Sequence, residues 1–208
     1  DVFCEKGVFS VEESRRILLA ARAHGLKLRI HADELGTTGG AELAGELRAR
    51  SADHLVFVSE AGMKALAAAP CVATLLPTAA FYLRLGRFAP ARALIEAGAP
   101  VALASDVNPG GGLSPSLPYA MAIGCFSMGM SLEEALVAVT VNAAFSLDLH
   151  DEAGSIEAGK RADIVVLRSR RLLDLVRVGV HAIRSVVKSG RVVVRDGRLV
   201  EAFAIPRP

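Results

Sequence analysis

The chain has 208 residues, 52% of them apolar, and a formal net charge of +2; that suffices for a sizeable core and one or two domains. Its Lys and Arg residues are dispersed, Trp is absent and aromatics make up 5%, so neither a nucleic-acid footprint nor a base-stacking platform is expected. No apolar run is long enough to span a bilayer and no signal-peptide pattern opens the sequence.

Cys4, Cys71 and Cys125 lie far apart, follow no metal or redox spacing, and read as small buried hydrophobes in a reducing, cytoplasmic setting. Val2-Phe3 reads as the tail of a strand, and Asp1 stands where an initiator Met is absent, so the chain is expected to begin inside a longer protein. Ser10 and Glu13 form a capping box for a helix that Ile17, Leu18 and Ala21 continue and Gly25 stops. Leu26 to Ile30 then reads as a strand, Gly36 to Gly40 as a turn, and Ala41 to Arg50 as a second helix. A short strand falls within Ser51 to Val58, and Ser59 caps a helix from Glu60 to Ala69. Cys71 to Leu76 is a strand ending at Pro77, Ala89 to Ala97 a helix ending at Gly98, and Pro100 to Ser105 another strand. A Gly/Pro/Ser loop from Asn108 to Pro118 leads to helices over Tyr119 to Met128 and, after a second capping box at Ser131 and Glu134, Leu132 to Leu147.

This alternation predicts a parallel sheet with right-handed crossovers, whose chemistry sits in the loops after the strands. Four such strands before residue 110 are too few to close an eight-stranded barrel and are the natural count for half of one. After His150 the composition changes. Gly154, Gly159, Gly179, Gly190 and Gly197 punctuate β-rich runs over Asp163 to Leu167, Ile183 to Lys188 and Arg191 to Val194, with a hairpin turn at Asp196-Gly197. The expected division is residues 1–150 as a partial barrel and 151–208 as a small β unit.

Strand ends carry the candidate chemistry. His31, Asp33 and Glu34 follow one strand and Asp106 another, so an imidazole and a carboxylate can converge on one divalent metal. Water bound to such a metal ionises near pH 7, and a carboxylate one contact away can move its proton. Glu34 is the candidate for that role and Asp33 the alternative, although its neighbouring position sends it to the opposite face. The competing reading makes His31 a hydrogen-bonded strand-end residue and Asp106 a turn residue; spacing alone leaves both open. His54 either polarises a carbonyl, binds metal, or pairs with Asp53 at a turn. Alternation places Ala102 and Ala104 with Asp106, and Lys27 and Arg29 with His31, so those two cations must lie toward the open bottom of the sheet or find partners there. His24 reads as a helix C-terminal residue favoured by the dipole, and His150 and His181 as structural. The Asn108 to Gly112 loop exposes amides to which a ligand can come close, without the spacing of a phosphate-binding loop.

Asp1-Val-Phe-Cys-Glu5, His31-Ala-Asp-Glu34, Ser51-Ala-Asp-His54-Leu, Ser105-Asp106-Val-Asn108-Pro-Gly110, Thr140-Val-Asn142-Ala-Ala and Gly154-Ser-Ile-Glu-Ala-Gly-Lys-Arg-Ala-Asp163 occur in that order. Together they resemble the imidazolonepropionases of the amidohydrolase superfamily over essentially the whole chain. The resemblance implies an α/β fold: the C-terminal half of a metal-dependent (β/α)8 barrel of the TIM type, with part of a small β-sandwich. It implies hydrolysis of the cyclic amide of 4-imidazolone-5-propanoate to N-formimidoyl-glutamate in histidine degradation, with zinc or iron as cofactor and a homodimer in the full-length protein. His31 and Asp106 match metal ligands, Glu34 the residue that activates water and contacts substrate, and His54 an active-site histidine. Asn108, Gly110 and Gly111 match substrate-contacting positions, although Gly111 stands where many members have Ser or Thr. The family's first-strand His-x-His pair is absent from this sequence, as are its propionate-holding Arg and Tyr, so two of four metal ligands remain and the isolated chain is expected to bind metal weakly and turn over little. Another amidohydrolase, such as an aromatic deaminase or cyclic amidase, and a non-catalytic fragment are the alternatives.

Overall fold

A computed structural model describes residues 1–200. The strands β1 (Val2–Cys4), β2 (Arg29–Ala32), β3 (Ser51–His54), β4 (Val72–Leu75) and β5 (Val101–Leu103) form one parallel sheet in sequence order. Val2-Phe3 is thus the first full member of this sheet, which has five strands where strand-helix alternation alone suggested four. Register partners in a parallel sheet face the same way. Phe3, His31, Asp53, Thr74 and Ala102 therefore form one row across the sheet. The alternate residues Ile30, Ala32, Ala52, Ala73, Leu75, Val101 and Leu103 are buried in the apolar core.

The helices between the strands begin where local chemistry says they should. Helix α1 (Val11–Ala23) carries the full Ser10/Glu13 capping box and ends at His24, followed by Gly25 at φ 77°. Its strand partner starts later than expected: Leu26 is exposed and the ladder begins at Arg29. Helix α2 (Gly40–Glu46) is shorter than anticipated and α3 (Glu60–Ala67) is capped by Ser59. These two helices meet through small residues. A Cβ on Gly45 would lie 2.6 Å from the Ala65 carbonyl oxygen, and one on Gly62 would lie 2.9 Å from the Ala41 Cβ.

Three departures from the expected elements have local causes. Pro77 ends β4 but also opens α4 (Pro77–Tyr82), because its fixed φ and missing N–H suit a first helical turn. After α5 (Ala91–Glu96), the Gly/Pro/Ser loop is two residues shorter than expected: Ser116 caps α6 (Leu117–Ser127) and Pro118 lies in its first turn. The long helix expected over Leu132 to Leu147 is two, α7 (Leu132–Val139) and α8 (Val141–Ser146), broken at Thr140 (φ −122°, ψ −87°), whose hydroxyl donates to the Leu136 carbonyl at 2.6 Å.

Helix α8 anchors the N-terminal ends of the strands. Arg29 donates to Ser51 Oγ at 2.9 Å and to the Ser146 carbonyl. Arg50 donates to the Phe145 carbonyl at 2.7 Å, lies 4.6 Å from the Phe145 ring centroid and pairs with Asp148. Lys27 reaches Asp148 at 2.6 Å. The charges that share a face with His31 therefore meet the carbonyl end of α8, where cations are favoured. Beyond residue 150, β6 (Ile164–Leu167), β7 (Ile183–Lys188), β8 (Arg191–Arg195) and β9 (Arg198–Leu199) make an antiparallel sheet, with a 3-10 turn over Leu172–Val176 that the sequence pattern did not signal. The sequence expectation for residues 201–208, the end of the β unit, lies outside the described residues. Among the described residues no helix is long and apolar enough to cross a membrane.

Candidate active site

The C-terminal ends of the parallel strands open on a cavity of about 560 Å³. His31, Glu34, His54, Asp106, Asn108, Gly110 and Gly111 all line it, together with Phe3, Asp53, Leu35, Leu76 and Leu83. The lining combines polar and apolar side chains, as small-molecule sites do.

Backbone turns put these side chains there. Asp33 (φ 52°), His54 (φ 78°), Leu55 (φ 62°) and Asp106 (φ 51°) all take left-handed conformations where strands end. His54 is the register partner of Ala32, on the apolar-core side of the sheet, and leaving strand geometry is what delivers its ring to the cavity. Asp33 goes the other way. It is fully buried; Oδ1 accepts from the Thr38 amide at 2.7 Å, the Thr38 hydroxyl at 2.9 Å and the Gly39 amide at 3.2 Å, and Oδ2 accepts from the Ala41 amide at 3.1 Å. With its acceptors committed to the start of α2, Asp33 is a structural residue, which leaves Glu34 alone as the carboxylate facing the cavity from this turn.

His31, Glu34 and His54 are all buried, and one ligand-capable atom from each lies within 4.8 Å of the others. Glu34 Oε1 is 3.0 Å from His54 Nδ1 and Oε2 is 3.6 Å from His31 Nε2. The Phe3 ring stacks on His31 with centroids 3.6 Å apart. His31 Nε2 is buried and finds no hydrogen-bond partner among the described residues. A buried imidazole nitrogen without a partner, beside a carboxylate and a second imidazole, is a donor set suited to a divalent cation of the zinc or iron type. Asp106 stands outside this trio, on the loop after β5. Burial pushes its carboxyl above the usual range; His54 opposes the shift, Glu34 adds to it, and Asn108 and His31 oppose it.

Asp53 and His54 do not simply satisfy one another. Burial raises the Asp53 carboxyl against the countering effects of Ser51, Arg29, His54 and Thr74, and its Oδ1 has no hydrogen-bond partner among the described residues. In the loop after β5, Asn108 uses its own side chain to shape the turn: Nδ2 donates to the Asp106 carbonyl at 2.9 Å and Oδ1 accepts from the Gly110 amide at 2.7 Å. Gly112 is obligatory, since a Cβ there would sit 2.4 Å from the Asp106 carbonyl oxygen. A Cβ on Gly111 would lie 3.4 Å from Asp106 Oδ2, so that position borders the carboxylate directly.

Sequence reasoning gave no role to Glu5. It is 2% exposed, lies 3.3 Å from His31 Nε2, and accepts the Glu34 and Leu35 amides on Oε1. Its position immediately after a strand, like that of Asp106, was the available signal. Leu76 and Leu83, which flank the unforeseen helix α4, were missed for the same reason as the helix.

The sequence profile of the Amidohydrolase family matches residues 2–200. Among curated relatives, imidazolonepropionase of Alkaliphilus metalliredigens is 45% identical over 201 residues, 96% of this chain and 48% of that protein. Imidazolonepropionase of Geobacillus sp. (strain WCH70) is 50% identical over 200 residues, 96% of this chain and 47% of that protein. The chain spans about half the length of the curated relatives it matches. Among solved structures, a zinc-bound adenosine deaminase from Xanthomonas campestris superposes with a TM-score of 0.76 at 20% identity, covering 93% of this chain and 51% of that one. Atrazine chlorohydrolase from Arthrobacter aurescens TC1, complexed with zinc, gives 0.71 at 20% identity over 96% and 51%.

Proposed function

The chain belongs to the amidohydrolase family, and from that premise we propose that it is the C-terminal half of an imidazolonepropionase. In this reading residues 1–150, with five parallel strands, supply about strands four to eight of a (β/α)8 barrel and residues 151–208 part of a small β-sandwich. The complete enzyme, a homodimer, opens the cyclic amide of 4-imidazolone-5-propanoate to N-formimidoyl-glutamate. Its substrate is a small molecule; nucleic acid and membrane play no part. The observation that carries the reading is the meeting of His31, Glu34 and His54 within 4.8 Å, in a cavity that Asp106 and the Asn108 to Gly111 loop also line.

His31 and Asp106 would hold one divalent cation, zinc or iron, together with two ligands from the preceding half. When bound, such a cation supplies Lewis acidity and lowers the pKa of water toward 7. Glu34 takes the proton of the attacking water and returns it to the departing ring nitrogen. His54 orients the Glu34 carboxylate through Nδ1, at 3.0 Å, and faces the oxygen of the carbonyl under attack. Phe3 fixes the plane of His31 by stacking, and the loop of Asn108, Gly110 and Gly111, whose turn the Gly110 amide holds through Asn108 Oδ1, receives the substrate.

The test is turnover by the complete polypeptide. Loss of the imidazolone ring absorbance with formation of N-formimidoyl-glutamate is expected, and Glu34→Gln is expected to lower kcat by at least about 100-fold, the scale of a lost general base. Ammonia release from guanine or cytosine without imidazolone hydrolysis would replace this reading with a deaminase, and full turnover by Glu34→Gln would overturn the role given to Glu34.

A further inference from the structure

We propose that Glu5 is a positioning residue that sets both Glu34 and His31 from the neighbouring strand; the inference rests on the role just given to Glu34. Glu5 follows β1, and its carboxylate is among the most deeply buried polar groups of the chain at 2% exposure. The polar groups around its carboxylate come from the neighbouring strand and the turn after it. Oε1 accepts the backbone amides of Glu34 and Leu35, at 3.2 Å for the latter, and stands 3.3 Å from His31 Nε2. One oxygen therefore ties the two amides of the turn that carries the proposed base, and stands beside, without a hydrogen bond to, the ring that precedes it by three residues.

The turn is held on its carbonyl side by the next strand's loop, where the Leu55 and Phe57 amides donate to the Ala32 and Asp33 carbonyls at 3.0 and 2.8 Å; its amide side is held by Glu5. It starts at Asp33 in a left-handed conformation, and Leu35, immediately after Glu34, is 55% exposed. The Asp33 side chain holds the later part of the segment, from Thr38 to Ala41; the amides of Glu34 and Leu35 are left to Glu5. A carboxylate that accepts two amides at one oxygen fixes the direction of the peptide between them, and Glu34 Cα lies on that peptide. With the peptide fixed, the Glu34 side chain spans from His31 Nε2 at 3.6 Å to His54 Nδ1 at 3.0 Å. Phe3, two residues before Glu5 on the same strand, holds the other degree of freedom of His31 by ring stacking. β1 thus templates the reactive end of β2. The unpartnered second oxygen, Glu5 Oε2, is buried as well; the clamp therefore needs only an acceptor at Oε1, and that sets the test.

Gln retains an acceptor oxygen in the same place, whereas Ala removes it and Asp falls short by one methylene. In the complete enzyme Glu5→Ala and Glu5→Asp are expected to lower kcat roughly 10–100-fold, the usual cost of losing a group that orients an active-site side chain, with KM moved less than about threefold. Glu5→Gln is expected to recover most of that loss. A readout independent of substrate is amide hydrogen exchange. Glu34 and Leu35 amides are expected to be protected in the wild type and in Glu5→Gln, and to exchange at least about tenfold faster in Glu5→Ala. Unchanged exchange at both amides in Glu5→Ala, or a Glu5→Gln variant as impaired as Glu5→Ala, would overturn the proposal. If the wild type hydrolyses no imidazolone propionate but the exchange pattern is as described, the substrate assignment fails and the positioning role stands.

Discussion

Replacing Asp33 by Ala removes the group that joins the end of β2 to the start of α2, and its cost can be worked bond by bond. The carboxylate is fully buried and accepts four hydrogen bonds, from the Thr38 amide and hydroxyl, the Gly39 amide and the Ala41 amide. Thr38 and Gly39 are half-buried, so water can take over part of their role; the Ala41 amide is buried and has no such recourse. An orphaned buried amide costs about 1–3 kcal/mol, and the partly replaced bonds add about 1 kcal/mol. Ala at φ 52° adds about 1 kcal/mol more, because Asp tolerates the left-handed region better than Ala does. The sum is about 4 kcal/mol, a large share of the 5–15 kcal/mol typical of a folded protein. The assay is urea unfolding at pH 7 followed by far-UV circular dichroism, read as a shift in midpoint at constant slope. Asp33→Asn keeps Oδ1 and the backbone preference but turns an N–H toward Ala41, so about half the loss is expected. Asp33→Gly, free of the φ penalty, should be less damaging than Asp33→Ala by about 1 kcal/mol. A stability loss under 1 kcal/mol for Asp33→Ala, or an Asp33→Asn variant equal to it, would refute the account of Asp33 as the structural member of the His31 to Glu34 turn.

Gly45→Ala places a Cβ 2.6 Å from the Ala65 carbonyl oxygen; the α2 and α3 backbones must separate, and a loss of at least about 2 kcal/mol is expected in the same unfolding assay. Gly112→Ala meets the Asp106 and Ser105 carbonyl oxygens and should raise KM or abolish turnover of the complete enzyme while leaving its melting temperature within a few degrees, because the strain is confined to a loop. The Asp148 carboxyl is held below its ordinary value by its bond to Lys27, against burial and with help from Arg50, Lys27 and His150. Its contribution to stability is therefore present above about pH 3.8, the ordinary value, and is lost as pH falls further; Asp148→Asn should flatten that part of the stability profile. Burial raises all three thiols, Cys71 to about 12, so access decides between them: Cys4 and Cys71 are buried. Only Cys125, half-buried, should react with an aromatic disulfide reagent at pH 8 before unfolding, and rapid native reaction of all three would contradict the packing described.

How much of this was legible in the sequence depends on the distance over which each cause acts. The Ser10/Glu13 and Ser131/Glu134 boxes and the Ser59 cap are local chemistry within one helical turn, and the structure contains all three. The parallel strands followed from alternation of apolar runs with helical ones, which is again a matter of neighbouring residues. The break at Thr140 and the opening of α4 at Pro77 were local too, but each residue has two readings, and only packing selects between them. Glu5 could be placed at a strand end but its role could not be read, because its donors come from Glu34 and Leu35, about thirty positions along the chain. Gly45 was equally opaque: in isolation it is a poor helix residue, and its reason is the Ala65 backbone on another helix. Asp33 against Glu34 was decided in outline by alternation and in fact by the amides of α2.

The two ends of the parallel sheet are built on opposite principles, and that sets where substitutions act. At the N-terminal ends, Lys27, Arg29 and Arg50 converge on the carbonyls and Asp148 at the end of α8; each cation has a partner. At the C-terminal ends, Asp33, His54, Leu55 and Asp106 hold left-handed conformations that cost of order 1 kcal/mol each, and His31 Nε2, Asp53 Oδ1 and Glu5 Oε2 lack hydrogen-bond partners among the described residues. Strain is present at both rims, since Arg48 (φ 47°) and Asp148 (φ 58°) are left-handed and Arg50 Nε is unsatisfied at the N-terminal one; what distinguishes the C-terminal rim is that His31, Asp53, His54 and Asp106, among its strained and unsatisfied groups, border the cavity. The strands carry both ends on the same few residues: Arg29 and His31 share a face of β2 two positions apart. Loosening the Arg29 anchor therefore tilts the strand that presents His31, so Arg29→Met is expected to weaken metal retention as well as fold stability, whereas Arg50→Met, on the loop before β3, is expected to weaken stability alone. Equal effects of the two on metal retention would show that the rims are not coupled through β2.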